Sequence, residues 1–197
     1  MSSSTCLTAL HRLKEGNQRF IANVRGIDAL LSQHRRAELA AHQAPFAIVL
    51  GCSDSRAPAE IVFDQGLGDL FVIRVAGNIV APSQIASVEF AAQRFGIPLV
   101  VVMGHTGCGA IEATLEYIAR PQDESLHPLR SIVDRVRPAI EPLTLTDLAR
   151  DPKTLRPLFL AMERALWADN RLRDRATFEV EAEAGDEAAV DEELLTS

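Results

Sequence analysis

Apolar positions along the chain fall into two kinds of pattern. Three are short candidate strands: "FAIVLG" (46–51), a continuous apolar run, "LFVIRVAG" (70–77), interrupted by Arg74, and "PLVVVMG" (98–104). Each ends in glycine, and unbroken apolar runs of this length suit strands covered on both faces, as in a parallel sheet. The other kind has helical spacing. Between the second and third runs, "SQIASVEFAAQRFG" places Ile85, Val88 and Phe95 on one face, with Ser83 as N-cap after Pro82 and Gly96 as the stop. Strand, helix and strand in that order predict a right-handed crossover. The expected fold class is α/β: an open, mostly parallel sheet with order 2-1-3 around its centre, flanked by helices and preceded by an N-terminal helical arm.

Leu7, Leu10, Leu13, Phe20, Ile21 and Val24 recur at helical intervals, which predicts an amphipathic helix broken near Gly16. "SQHRRAELAAHQAP" predicts a second short helix ending before Pro45. From Gly107 a helix runs through "CGAIEATLEYIAR", and another covers 129–141. Beyond Pro142, Leu158, Met162, Ala165 and Leu166 share a helical face. "ATFEVEAE" alternates weakly, and no strand is expected after residue 104. The division that follows is an arm at 1–45, an α/β core at 46–142, a helical region at 143–177 and a mobile acidic tail at 178–197. No internal repeat is visible.

Composition narrows the class. A chain of 197 residues, 47% apolar, fits one domain with a sizeable core. No apolar run approaches the ~20 residues of a membrane helix. The start, "MSSSTCLTALHRLKEGNQRF", has polar residues where a secretory signal needs an apolar stretch, so a soluble, cytoplasmic protein is expected. The net charge of −7 is uneven: the last twenty residues hold eight acidic groups and no Lys or Arg. Removing those eight leaves the remainder at +1, without the basic footprint of a nucleic-acid binder. Three cysteines make no disulfide scaffold, and metal or catalytic use is the better reading for such a chain. Cys6 stands in a Ser-rich start without a partner and receives no role.

The chemistry gathers at the ends of the apolar runs. Cys52 follows the first, and His105 with Cys108 follows the third. In open α/β sheets, ligands bind beyond the carboxyl ends of the strands, so neighbouring strands would bring these side chains to one crevice. Two thiolates and an imidazole form a zinc set that leaves the fourth position to water. Cys108 falls at a helix N-terminus, which favours a thiolate. His11, His34, His42 and His127 are scattered. A buried structural thiol or a redox pair remains an alternative. "GHTGCGA" lacks the Gly-Lys-Ser/Thr ending of a phosphate loop. Alternation in an extended segment points residues 52, 54 and 56 the same way. Arg56 can therefore hold Asp54 by two parallel bonds, keeping it ionised and aimed; elsewhere the pair would read as a surface salt bridge.

"CSDSR" and "HTGCG", in that order, resemble the paired Cys-x-Asp-x-Arg and His-x-x-Cys motifs of β-class carbonic anhydrases. The likeness extends through "LTALHRLKEGNQRF", "APAEIVFDQGLGDLFVIRVAGN" and "ASVEFAAQRFGIPLVVVMGHTGCGAIEA", covering about residues 7–141. It implies Cys52, His105 and Cys108 as ligands of Zn2+, Asp54 with Arg56 as the orienting dyad, and Gln43 and Gly107 as substrate-pocket residues. It also implies reversible hydration of carbon dioxide to bicarbonate and a proton, and a homodimer or homotetramer with the N-terminal helix packed across a partner. Hydrolysis of carbon disulfide or carbonyl sulfide on the same zinc, or a zinc-binding module without turnover, are the alternatives. Val49 stands where the subgroup with an inhibitory bicarbonate pocket has Trp, so that regulation is not expected. After residue 142 no equivalent of the family's closing helix, sheet strand and hairpin is expected.

Overall fold

The computed structural model describes residues 3–24, 36–37, 39–40, 42–122 and 128–141, with the main chain alone for 3–4 and 176–182. Its elements are α1 (Ser3–Ile21), β1 (Ala47–Gly51), α2 (Ala59–Val62), β2 (Leu70–Arg74), a 3-10 turn (Ala76–Asn78), α3 (Pro82–Phe95), β3 (Leu99–His105), α4 (Gly109–Ala119), α5 (Arg130–Ile140) and β4 (Ala176–Ala182). The strands form one parallel sheet in the order β2-β1-β3-β4.

The three runs are strands, the central two covered on both faces and β2, at the sheet edge, half-buried. Every residue of β1 and β3 is buried. Ile48, Leu50, Val100 and Val102 pack with Val88, Ala91 and Ala92 of α3 and Val136 and Ile140 of α5. Ala47, Val49, Leu99, Val101 and Met103 pack on the opposite side with Ala9, Leu10 and Leu13 of α1, Val62 of α2 and Phe63. The period-two alternation of strand side chains thus divides one apolar run between two cores. The connection from β1 to β2 carries α2 on one face; that from β2 to β3 carries α3 on the other. The chain therefore reverses direction beside β1, opening a crevice at the carboxyl ends of β1 and β3.

Several expectations change. α1 is one unbroken helix through Gly16. A Cβ at Gly16 would lie 1.8 Å from the Phe63 carbonyl oxygen, so the glycine permits a close approach rather than a break. Ala9, Leu10 and Leu13 of α1 pack into the core of their own chain. Asn17 donates to the Val62 carbonyl at 3.2 Å, Arg12 pairs with Asp69 at 2.8 Å and lies over the Phe46 ring, and Arg19 pairs with Asp64. Leu7, Ile21 and Val24 stay exposed. Ser83 is not the cap of α3: Ala81 takes that position and Pro82 opens the helix, where its fixed φ and missing N–H cost nothing.

The largest correction is β4. Residues Ala176–Ala182 pair with Leu99–His105 in parallel, a strand after residue 104 where none was expected. It crosses the boundary drawn at 177/178 and adds to the core drawn at 46–142. Its alternation is short and acidic, a weak local signal, and the unpaired ladder of β3 supplies what the local sequence lacks. The second short helix expected before Pro45 falls mostly outside the described residues, as do the helical region from 143 and the remaining tail.

Gly16→Ala tests the docking of α1. In a free helix the change stabilises by up to about 1 kcal/mol. Against the Phe63 carbonyl it should instead destabilise by about 1–3 kcal/mol, lowering the melting temperature by roughly 5 °C. An unchanged or higher melting temperature would show that α1 does not sit there.

Candidate metal centre

Parallel pairing of β1 with β3 sets Gly51 opposite Met103. Cys52 leaves β1 one residue later and His105 closes β3, so both emerge at the same end of the sheet. A left-handed turn at Gly107 (φ 60°) then lets the chain reverse into α4, with Cys108 at its N-cap. Cys52, His105 and Cys108 are all buried, and their ligand atoms lie within 4.8 Å of one another.

The distances suit a metal better than a bond between the sulfurs. Cys52 Sγ and Cys108 Sγ are 3.9 Å apart, far beyond the ~2.05 Å of a disulfide. A tetrahedral zinc with Zn–S bonds near 2.3 Å separates two sulfurs by roughly 3.8 Å. His105 Nδ1 lies 2.9 Å from the Thr106 carbonyl oxygen. A carbonyl only accepts, so Nδ1 carries the proton and donates, leaving the Nε2 lone pair free in the neutral ring. Nε2 is buried and has no hydrogen-bond partner. An orphaned buried nitrogen aimed at two sulfurs is what a cation would satisfy.

Electrostatics agree. The Cys108 thiol, donating to Cys52, holds Cys52 well below the usual thiol range despite its burial, and His105 and the backbone of Asp54 and Gly77 pull the same way. Cys108 is pushed up, first by the neighbouring Cys52 sulfur and then by burial. The N–H groups of Ala110 and Ile111 at the start of α4 act in the direction expected for a helix N-terminus, but they are outweighed. His105 is raised, chiefly by the neighbouring Cys52 sulfur. The two sulfurs therefore titrate as a coupled pair that holds one negative charge readily and a second only beside a cation.

Asp54 and Arg56 stand at the mouth. Arg56 Nε and Nη2 donate to Asp54 Oδ1 and Oδ2 at 2.9 and 2.7 Å, and the Arg56 backbone N–H donates to Oδ1 at 2.9 Å. The Arg56 side-chain bonds, followed by that backbone bond, hold the Asp54 carboxyl far below the ordinary carboxylate range. Arg56 Nη2 also donates to the Gly107 carbonyl at 2.8 Å, tying the dyad to the turn between His105 and Cys108. Asp54 Oδ2 lies 3.8 Å from His105 Nε2, facing the cluster.

Gln43 is not brought to this place. It lies before β1, in an open cleft of about 780 Å³ lined also by His42, Glu60, Leu67 and Phe95. Cys52 lies beyond the other end of the strand, whose five residues span roughly 17 Å. Three residues at the site carried no role in the sequence reading. Gly77 (φ 68°) donates its N–H to Cys52 Sγ at 3.3 Å, and a Cβ there would meet that of Ala110 at 2.9 Å. Asn78, buried at φ 44°, donates to the Met103 carbonyl at 2.6 Å. Arg74 donates to the carbonyls of Cys52 and Asp54. The adjacent Gly-Asn after a strand, both tolerant of positive φ, was the available signal for the first two.

The carbonic anhydrase family profile matches residues 47–185. Carbonic anhydrase 2 of Mycobacterium tuberculosis is 44% identical over 142 residues, 71% of this chain and 67% of that protein. A carbonic anhydrase of Mycolicibacterium smegmatis is also 44% identical, over 143 residues, with the same two coverages. Among solved structures, a β-carbonic anhydrase of Aspergillus fumigatus superposes with a TM-score of 0.68 at 26% identity, covering 81% of this chain and 82% of that one. One of two tetrameric β-carbonic anhydrases from Sordaria macrospora, at 22% identity, TM-score 0.65 and coverages of 80% and 85%, shows the fold alone. The profile begins at the first strand, passes through the whole cluster and extends beyond β4, and the chain belongs to the β-class carbonic anhydrases, enzymes whose general reaction is the reversible hydration of carbon dioxide.

Proposed function

We propose that this chain catalyses reversible hydration of carbon dioxide to bicarbonate and a proton, with Zn2+ held by Cys52 Sγ, His105 Nε2 and Cys108 Sγ. The observation that carries the metal is the buried, unpartnered Nε2 of His105 within 4.8 Å of two sulfurs 3.9 Å apart. Zn2+ supplies a Lewis acid there, lowering the pKa of a water from ~15.7 toward neutrality. The chain's own groups do the rest. Asp54, kept ionised by Arg56, is an acceptor only. With Oδ1 taken twice by Arg56 and Oδ2 once, the remaining capacity of Oδ2 faces the cluster. It can accept one hydrogen from the attacking oxygen and turn that oxygen's lone pair toward the substrate carbon.

This reading makes the enzyme a homodimer or homotetramer and gives Gln43 its role from a second copy, because β1 separates it from its own cluster. A reducing cytoplasm is the compartment it implies, since two thiolate ligands must stay unoxidised.

Asp54→Asn should keep one zinc per chain and cut turnover about tenfold or more, because the amide presents a donor where an acceptor is needed. A carboxyl whose folded pKa is depressed contributes its pairing above the unfolded value near 4 and loses it only as pH falls through the lower, folded value. Asp54 is thus ionised throughout pH 6–9 and sets no inflection there. Two thiolates cancel the zinc charge and make its water less acidic than a three-imidazole site would, so activity should rise through the mildly alkaline range. Asp54→Asn should lower that limb without moving it. A flat parental profile over pH 6–9 in stopped-flow hydration would contradict the mechanism.

Chelation offers a readout independent of turnover. Removing one equivalent of zinc should expose two further thiols per chain to a colorimetric thiol reagent, and re-adding zinc should protect them. Unchanged thiol counts would remove Cys52 and Cys108 as ligands.

For Gln43, mixing impaired Gln43→Ala and Asp54→Asn chains and allowing subunit exchange should raise activity by roughly a quarter of the parental value, one intact site per mixed dimer. No recovery after verified exchange would end the cross-subunit role.

A further inference from the structure

Asp54 and Arg56 are two residues apart on one irregular segment, so their mutual bonds fix each to the other without fixing either to the metal cluster. Something outside the segment has to set where the pair stands. Gly107 does so on the Arg56 side. On the Asp54 side the anchor is Arg74, the last residue of β2, paired with Gly51 across the ladder. Its guanidinium turns over the end of β1: Nε donates to the Cys52 carbonyl at 2.8 Å, and Nη2 donates to the Asp54 carbonyl. The planar fork thus bridges the carbonyl of Cys52 and that of the residue whose carboxylate faces the cluster, a geometry a flexible ammonium cannot copy. The other main-chain bonds around this stretch are weaker holds: Ser53 N–H to the Val75 carbonyl at 3.3 Å, and Ala57 N–H back to Asp54 itself at 3.2 Å. Among the described residues Arg74 pairs with no carboxylate, and its bonds go to these two carbonyls.

We infer that Arg74 is a positioning residue for the reaction: it clamps the Cys52–Asp54 backbone so that the Asp54 carboxylate stays facing the cluster of Cys52, His105 and Cys108. It touches neither substrate nor metal and acts through Asp54. The inference rests on the function proposed above, and it makes three demands. With Arg74→Gln the segment loosens, so the amides of Ser53 and Ala57 should exchange hydrogen about tenfold faster or more, while zinc content and melting temperature stay near parental values. Turnover number should fall about tenfold with little change in KM. Arg74→Lys, which can reach one carbonyl at a time, should lie between the two.

The deciding measurement is a double-mutant cycle. If Arg74 works through Asp54, adding Arg74→Gln to Asp54→Asn should cost no further activity. Multiplied losses would overturn the inference, as would parental turnover and exchange in Arg74→Gln, or a loss of activity that tracks loss of zinc or of the fold. Amide exchange reports the clamp even in a protein that hydrates nothing, so failure of the proposed function and failure of the clamp give different results.

Discussion

The parallel pairing of β1 with β3 is what the site is built on. Gly51 lies opposite Met103, and that register lets Cys52 and His105 leave the sheet at one level on one side. A slip of a single residue would exchange the two faces of β1, moving Ile48 and Leu50 out of one core and Ala47 and Val49 out of the other. The hydrophobic packing that stabilises the sheet therefore also fixes the ligand positions. Nothing at the cluster has to hold the strands together, and its side chains are free to serve chemistry.

Given that register, the cluster is electrostatically incomplete by itself. Cys52 is held below the usual thiol range while its neighbour Cys108 is pushed above it, so the second thiolate is the harder one to form. The hydrogen bond from His105 Nδ1 to Thr106 commits the other ring nitrogen to the interior, where the described protein groups leave it unmatched. Gly77 adds a backbone N–H to the Cys52 sulfur from a turn that only a glycine could thread past Ala110. Each of these features is a cost to the metal-free chain and an advantage to a chain holding a divalent cation.

The outer ring of contacts decides how well that cation is used. Asp54 is aimed by Arg56, Arg56 is tied to the Gly107 carbonyl, and the carbonyls of Cys52 and Asp54 are held by Arg74. Three separate stretches of chain, after β1, at the end of β2 and after β3, thus meet around one carboxylate. Short-range pairing supplies its charge state; long-range anchoring supplies its position.

Much of this was legible in order along the chain. Short apolar runs ending in glycine, with a helical pattern between the second and third, announced a parallel sheet whose central strands are buried on both faces. Cys52, Asp54, Arg56, His105 and Cys108 could be named because chemistry depends on residue type and spacing, which a sequence states outright. Contacts between distant segments were not legible. Gly16 read as a helix break until the Phe63 carbonyl occupied its missing Cβ; Arg74 read as one more strand residue until its side chain crossed to β1. β4 was missed because its stability comes from the ladder of β3 rather than from its own residues, and that Gln43 stands apart from its own chain's cluster was not legible because motif spacing counts residues and not direction. Sequence alone determined the groups and the periods; only the tertiary structure decided which distant backbone each group would meet, since that depends on packing energies summed over the whole chain and carried by no single segment.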